Sequence, residues 1–278
     1  MIKIVADTTS SLPLELAHQL GIAMVPQLVT FGEKSYRDDG EIDTATFLQK
    51  LRSSSSLPKT AAPPHALYLP LFKEAAEKGE TVMVIAPSQK VSGTVRSAET
   101  AKLEFPGADI RIIDTQAIAG NLGSLVLLAH KMAQAGENAD AIVKTVEGLI
   151  PLGRTYFVLD TLEYLQKGGR IGGAKALIGE LLQVKPILQI NHGQVEQYEQ
   201  ERTKKKATAR MIEIVAEQIK DSTYPQLSVM EIDAMDEAKA LAAELKARTG
   251  IQNIPIYEMP PAIVVHAGPK VIAAGFFV

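Results

Sequence analysis

Residues 81–86, Thr-Val-Met-Val-Ile-Ala, constrain the fold of this chain more than any other segment. A continuous apolar run of this length reads as a strand buried on both faces, which is the mark of a parallel sheet covered by helices. The surrounding sequence keeps the same rhythm. Residues 2–6 are a short β-branched run ending in Asp7, and a helical pattern through Leu14, Leu16, Ala17 and Leu20 stops at Gly21, with Ser11 placed to cap it. Residues 22–31 read as a strand broken by Pro26, residues 32–41 as a small polar excursion, and Asp43 as the cap of a helix reaching Arg52. Helices are expected over 64–78, 92–105, 117–135 and 138–149, with a further strand over 110–114. Strands alternating with helices predict an α/β sheet.

The pattern changes after residues 155–159. A short helix over 162–166 meets Gly168-Gly169-Arg170-Ile171-Gly172-Gly173, and another helix is expected over 174–182. Residues 186–190 and 195–198 flank His192-Gly193, the spacing of a two-residue hairpin. Helices over 207–219 and 237–248 alternate with strands over 227–232 and 254–257, and strands over 263–266 and 271–277 close the chain. The sequence thus predicts two domains. Residues 1–157 form an N-terminal α/β domain with a parallel sheet and a hairpin excursion near 30–42. Residues 158–278 form a C-terminal α+β domain with a mixed or antiparallel sheet.

Charge and composition remove several functional classes. The net charge of −3 over 278 residues gives no broad basic face for nucleic acid. There are no cysteines, so disulfides, thiolate zinc sites and cysteine nucleophiles are excluded. The first residues lack the basic-then-apolar pattern of a signal peptide, which points to the cytoplasm. The most apolar stretch, 122–129, is far short of the ~20 residues of a membrane span and reads as a buried helix.

Four clusters carry candidate chemistry. Asp7-Thr8-Thr9-Ser10 follows the first strand, while Ser88 and Val91-Ser92-Gly93-Thr94 follow the 81–86 strand and open a helix. Ligands of open α/β sheets gather beyond the carboxyl ends of strands, and a helix start offers free N–H groups, so this pair suits a carboxylate or phosphate. The competing reading is that Ser92 only caps its helix. Lys59-Thr60-Ala61-Ala62-Pro63-Pro64 precedes another helix. His266-Ala267-Gly268-Pro269 places a histidine at the end of an apolar strand, either as a core residue or as a donor to a buried anion. Finally, Arg170 and the run Arg202-Thr203-Lys204-Lys205-Lys206 set cations where a helix begins, against its dipole. No phosphate loop, dinucleotide turn or nucleophile elbow occurs, and the five histidines lack metal-ligand spacing.

Taken in order, these segments resemble the DegV family, the fatty-acid-binding subunits of bacterial fatty acid kinases. The resemblance runs essentially end to end through Val5 to Ser10, Lys59 to Pro64, Val91 to Thr94, Tyr164 to Ile171, Lys185-Pro186-Ile187, Arg202-Thr203 and His266 to Pro269. It implies two α/β domains with a long-chain fatty acid between them and no cofactor. It also implies a separate kinase catalytic subunit as partner in phospholipid metabolism, so that the chain itself is not an enzyme. Thr60, Ala61, Ser92, Gly93 and His266 are implied as the carboxylate site, and Arg170 and Arg202 as residues facing the partner or the transferred phosphoryl group. Two positions depart from the family pattern. Ala61 stands where a serine is usual, and Lys270 stands where a second glycine is usual. The alternative function is binding or chemistry on a small phosphorylated metabolite, which the same helix termini would hold. A third is a protein-interaction domain with an empty cleft.

Overall fold

The computed structural model describes residues 1–177 and 184–278. Strand β1 (Ile2–Asp7) runs into one 3-10 turn, Thr8–Ser10, and α1 (Leu14–Leu20) leads to β2 (Ala23–Val25). Ser11 does not cap α1, contrary to expectation. The Asp7 carboxylate already caps the 3-10 turn, and Ser11 closes that turn at φ 56° through its own N–H, so α1 starts behind Pro13 with no side-chain cap. Pro26 splits the next strand, as its missing N–H requires. Strands β3 (Leu28–Phe31) and β4 (Lys34–Arg37) make the expected hairpin. Helix α2 (Thr44–Ser53) starts on Asp43, whose carboxylate accepts the Thr46 N–H at 2.8 Å, and β5 (Lys59–Ala61) returns to pair with β3.

Helix α3 (Leu69–Lys78), β6 (Thr81–Ala86), α4 (Thr94–Lys102), β7 (Ile110–Asp114), α5 (Ala119–Gln134) and α6 (Ala139–Leu149) complete the N-terminal unit. Its sheet is parallel throughout, in the order β2-β1-β6-β7. The apolar run 82–86 is buried, as its composition requires. After β1 the chain crosses to one side, to β2, and after β6 to the other, to β7. The carboxyl ends of β1 and β6 therefore flank a topological switch point, where such sheets leave a crevice.

The C-terminal unit is β8 (Gly153–Val158), α7 (Glu163–Lys167), β9 (Lys185–Asn191), β10 (Gln194–Glu201), α8 (Lys204–Gln218), β11 (Leu227–Ile232), α9 (Met235–Thr249), β12 (Ile256–Glu258), α10 (Pro261–Ala267) and β13 (Val271–Phe277). Its sheet runs β10-β9-β8-β13-β11-β12 and is antiparallel except between β11 and β12. The fold is thus α/β, with an N-terminal parallel sheet and a C-terminal mixed sheet. The strand that straddles the expected division, β8, is hydrogen-bonded wholly within the second sheet. Of the helix expected over 174–182, residues 174–177 fall in a 3-10 helix, Gly172–Leu177, and the remainder lies outside the described residues.

One expected strand is a helix. Residues 263–266 lie in α10, because Pro261 at the first helical position presets the backbone and Gly268 stops it. The β-branched run Ile263-Val264-Val265 favours a strand by propensity. Burial of Ala262, Val264, Val265 and Ala267 in the core outweighs that preference.

Strand alternation assigns the two faces of the mixed sheet. Tyr156, Val158, Ile272, Ala274 and Phe276 pack under α8 and α9, while Phe157, Leu188, Val271 and Ala273 face the other way, toward the N-terminal unit. Helix α5 joins the units. The Asn121 amide donates to the main-chain oxygens of Arg154 (2.9 Å) and Phe276 (3.2 Å). At Gly120 a Cβ would stand 2.3 Å from Ser228 Oγ and 2.5 Å from Met230 Sδ, so a larger residue there would have to displace both side chains. Among the described residues, no helix is long and apolar enough to cross a membrane.

Candidate functional site

The switch-point crevice opens into a pocket of about 900 Å³, its mouth included, between the parallel sheet and the inner face of the mixed sheet. Most of its wall is apolar: Ile118, Phe157, Leu165, Ile190, Val195, Met230 and Val271 among others. Its polar side chains are Thr9, Gln27, Thr60, Ser92, Thr155, Arg170 and His266. A large apolar chamber with few convergent polar groups is the ordinary form of a small-molecule site.

Behind that polar cluster lies a buried carboxylate. Asp7 Oδ1 accepts the Thr9 N–H (3.0 Å) and hydroxyl (2.5 Å), and Oδ2 accepts from Gln27 Nε2 (2.7 Å) and the Thr94 hydroxyl (2.5 Å). Burial pushes the Asp7 carboxyl up from its ordinary range, and these hydrogen bonds oppose the shift. Gln27 Nε2 also approaches Thr94 Oγ1 (3.1 Å) and Ser92 Oγ (3.4 Å), and the Ser92 and Thr94 hydroxyls are 3.0 Å apart. Since the Thr94 proton is directed to Asp7, Ser92 is the donor in the Ser92–Thr94 pair, and its proton reaches a ligand only by exchanging that bond. Helix α4 begins only at Thr94, with Gly93 before it, and the Thr94 N–H approaches Ser92 Oγ at 3.4 Å. Gly93, rather than Ser92, is therefore the N-cap of α4.

A second pair lies opposite. Thr60 Oγ1 and His266 Nε2 are 2.7 Å apart. Burial, reinforced by the Arg170 charge, pushes His266 down to about 4, so its ring is neutral at pH 7. With the ring proton on Nε2, His266 donates to Thr60, and the Thr60 hydroxyl proton is released toward the pocket. Arg170 supplies the positive charge. Its Nη1 donates to Gly168 O (2.8 Å) and its Nε to Val91 O (3.2 Å), which fixes the guanidinium between the units. Two hydroxyl donors and a guanidinium at one end of an apolar chamber suit an anionic group on a hydrophobic chain.

The structure thus brings Thr60, Ser92, Gly93, Arg170 and His266 to one pocket. Ala61 is exposed and lies outside the pocket wall, because β5 turns Thr60 inward and Ala61 outward, and Ala62, just past its end, again lines the pocket. Arg202 is exposed and also lies outside the wall. Its neighbour Lys204 pairs with Asp160 and Glu237, each at 3.2 Å, so part of that basic run serves local ion pairs. Ser88 is committed elsewhere, donating to Gly193 O at the β9–β10 turn (2.7 Å). Sequence reasoning missed Gln27 and Asp38. Gln27 links Asp7 to Ser92, and Asp38 accepts the Thr8 hydroxyl (2.8 Å) and the Gln27 N–H (2.9 Å). Gln27 next to the strand-breaking Pro26 was the available signal.

Fold and pocket together define an α/β protein of two main sheets and a small three-stranded one, β4-β3-β5, with an interdomain apolar chamber closed by hydrogen-bond donors. The chain belongs to the DegV family, whose profile matches residues 1–278. It is 35% identical over 279 residues to a DegV domain-containing protein of Clostridium perfringens, covering 99% of this chain and 98% of that protein. It is similar to a fatty-acid-binding DegV family protein from Thermus thermophilus, with a TM-score of 0.93 and 32% identity over 100% of this chain and 99% of that one. A fatty-acid-binding DegV family protein from Streptococcus agalactiae matches with a TM-score of 0.91 and 28% identity, covering 100% of this chain and 98% of that one.

Proposed function

We propose that this protein binds a long-chain fatty acid in the interdomain pocket and presents its carboxylate to a partner kinase for acyl-phosphate formation, without catalysing that step itself. The observation that carries the reading is the polarity of the pocket: an apolar chamber with Thr60, Ser92, Arg170 and His266 gathered among its few polar residues. Each buried methylene contributes ~0.8 kcal/mol, so the chain supplies affinity and the donors need only offset desolvation of the carboxylate. Fatty acid binding by the Thermus and Streptococcus relatives supports the same assignment. A small phosphorylated metabolite would leave most of this wall without a partner.

In this reading Thr60, Ser92 and His266 hold the carboxylate, Gly93 lets it approach the backbone, and Ala61 contributes no side chain. Arg170 and the exposed Arg202 serve the phosphoryl group or the kinase more than the acid. The two units divide at the start of β8, in a protein working in the cytoplasm. A coupled assay tests this. The protein with ATP, magnesium and oleate forms no acyl phosphate alone and does so when a cognate kinase is added. Arg170→Ala and Arg202→Ala keep the fatty acid but slow the coupled reaction. Turnover by the protein alone, or unchanged coupled rates in both variants, overturns the corresponding part of the reading.

A further inference from the structure

Two cavities meet at one pair of strand residues, and a third reaches one of the two. Thr155 of β8 and Ile190 of β9 face each other across the ladder, and both line the interdomain pocket. The same two residues line a small side chamber, whose wall also holds Asn121, Leu125, Ile150 and Phe277. Ile190, with Gln116, Ile150 and Gly153, then borders an open cleft of about 1520 Å³ on the far side. Among the described residues, Ile190 is the one shared by all three walls. None of Thr60, Ser92, Arg170 or His266 lines the side chamber or the outer cleft, so neither space reaches that group, and Thr155 is the one polar residue of the main pocket in the shared wall.

Both outer spaces are mixed in character. The side chamber is small and sets Thr115, Gln116 and Asn121 beside Leu125, Ile150 and Phe277, and of these only the last three offer contact to a hydrocarbon. The outer cleft carries Arg154, His192, Tyr198 and Gln218, and a methyl end gains little there. We propose that Thr155 and Ile190 form a partition that ends the space open to the acyl chain, so that the side chain at 190 sets the longest fatty acid the pocket takes. This rests on the fatty acid reading above and adds a length limit to it.

The test is displacement of a fluorescent long-chain fatty acid by saturated acids of about 14 to about 22 carbons, for the wild type, Ile190→Ala and Ile190→Phe. Each methylene that fits raises affinity roughly fourfold (about 0.8 kcal/mol), up to a break beyond which affinity stops rising. Ile190→Ala joins the pocket to the side chamber and moves the break up by about two carbons. Ile190→Phe moves it down. Opposite shifts cannot come from a general loosening of the fold. Ile190→Val, the mildest change, substitutes for alanine should that variant melt early, and moves the break upward by less. A break at the same length in every folded variant overturns the partition while leaving fatty acid binding intact. Failure of the wild type to bind any of the acids overturns the underlying reading and the partition with it.

Discussion

Gly168 offers the sharpest test of how the polar end is built. Its backbone lies in the ordinary helical region, φ −77° and ψ −7°, so its dihedrals do not demand glycine. Space does: a Cβ there would stand 2.3 Å from His266 Nδ1 and 2.9 Å from Tyr164 O. The ring cannot yield without leaving Thr60, to which it is bonded at 2.7 Å. Gly168→Ala therefore combines overpacking, ~1–3 kcal/mol, with a gain in backbone propensity of up to about 1 kcal/mol, for a net destabilisation of roughly 1–2 kcal/mol. Affinity falls further, because the Thr60 donor loses its orientation and a hydrogen bond to a charged group is worth ~1.5–3 kcal/mol, or roughly tenfold to a hundredfold in Kd. Chemical denaturation and a fatty acid titration read the two effects separately. Gly169→Ala is the control: it sits at φ 72° with nothing within 4 Å of a Cβ, so it loses stability through strain but keeps affinity. Unchanged affinity in Gly168→Ala, or an equal loss in Gly169→Ala, refutes the reasoning.

Ser92→Ala weakens fatty acid binding by ~1.5–3 kcal/mol in a titration, whereas Ala61→Ser leaves it unchanged because residue 61 is exposed outside the pocket wall. Lys270 holds φ 58°, so Lys270→Gly raises unfolding stability by about 1 kcal/mol in a denaturant melt. Burial, opposed by the Thr8 hydroxyl and aided by the Asp7 charge, pushes Asp38 up to about 7 from an ordinary 3.8. A raised acid stabilises the fold fully below about 4 and loses that contribution as pH rises through about 7. Asp38→Asn should therefore gain stability relative to wild type over that window, by at most roughly 4 kcal/mol, as melts at several pH values would show.

Much of this architecture is legible in the sequence because burial on both faces leaves a mark. The 81–86 run, the helix containing 122–129 and the His192-Gly193 hairpin are each dictated by local pattern. Residues 263–266 were misread because local β propensity and tertiary burial point in opposite directions there, although Pro261 and Gly268 bracket a helix. The site was legible in part. Thr60, Ser92 and His266 stand out as polar residues at element ends, yet their convergence spans 206 positions between Thr60 and His266 and depends on docking of the two units. Asp38 carries no local signature and Gln27 only its place beside Pro26, since what makes both matter is their burial against Asp7 and Thr8. Strand alternation turns Ala61 away from the pocket that Thr60 and Ala62 line, a distinction that motif position alone does not make.

The central claim is occupancy of the pocket by a fatty acid. Protein purified from a bacterial host, extracted into organic solvent and analysed by mass spectrometry, should yield fatty acid on the order of one molecule per chain. Ser92→Ala carried through the same purification should yield less. Repeated extraction without any fatty acid, together with no uptake of added oleate or palmitate by the folded protein, would contradict the account.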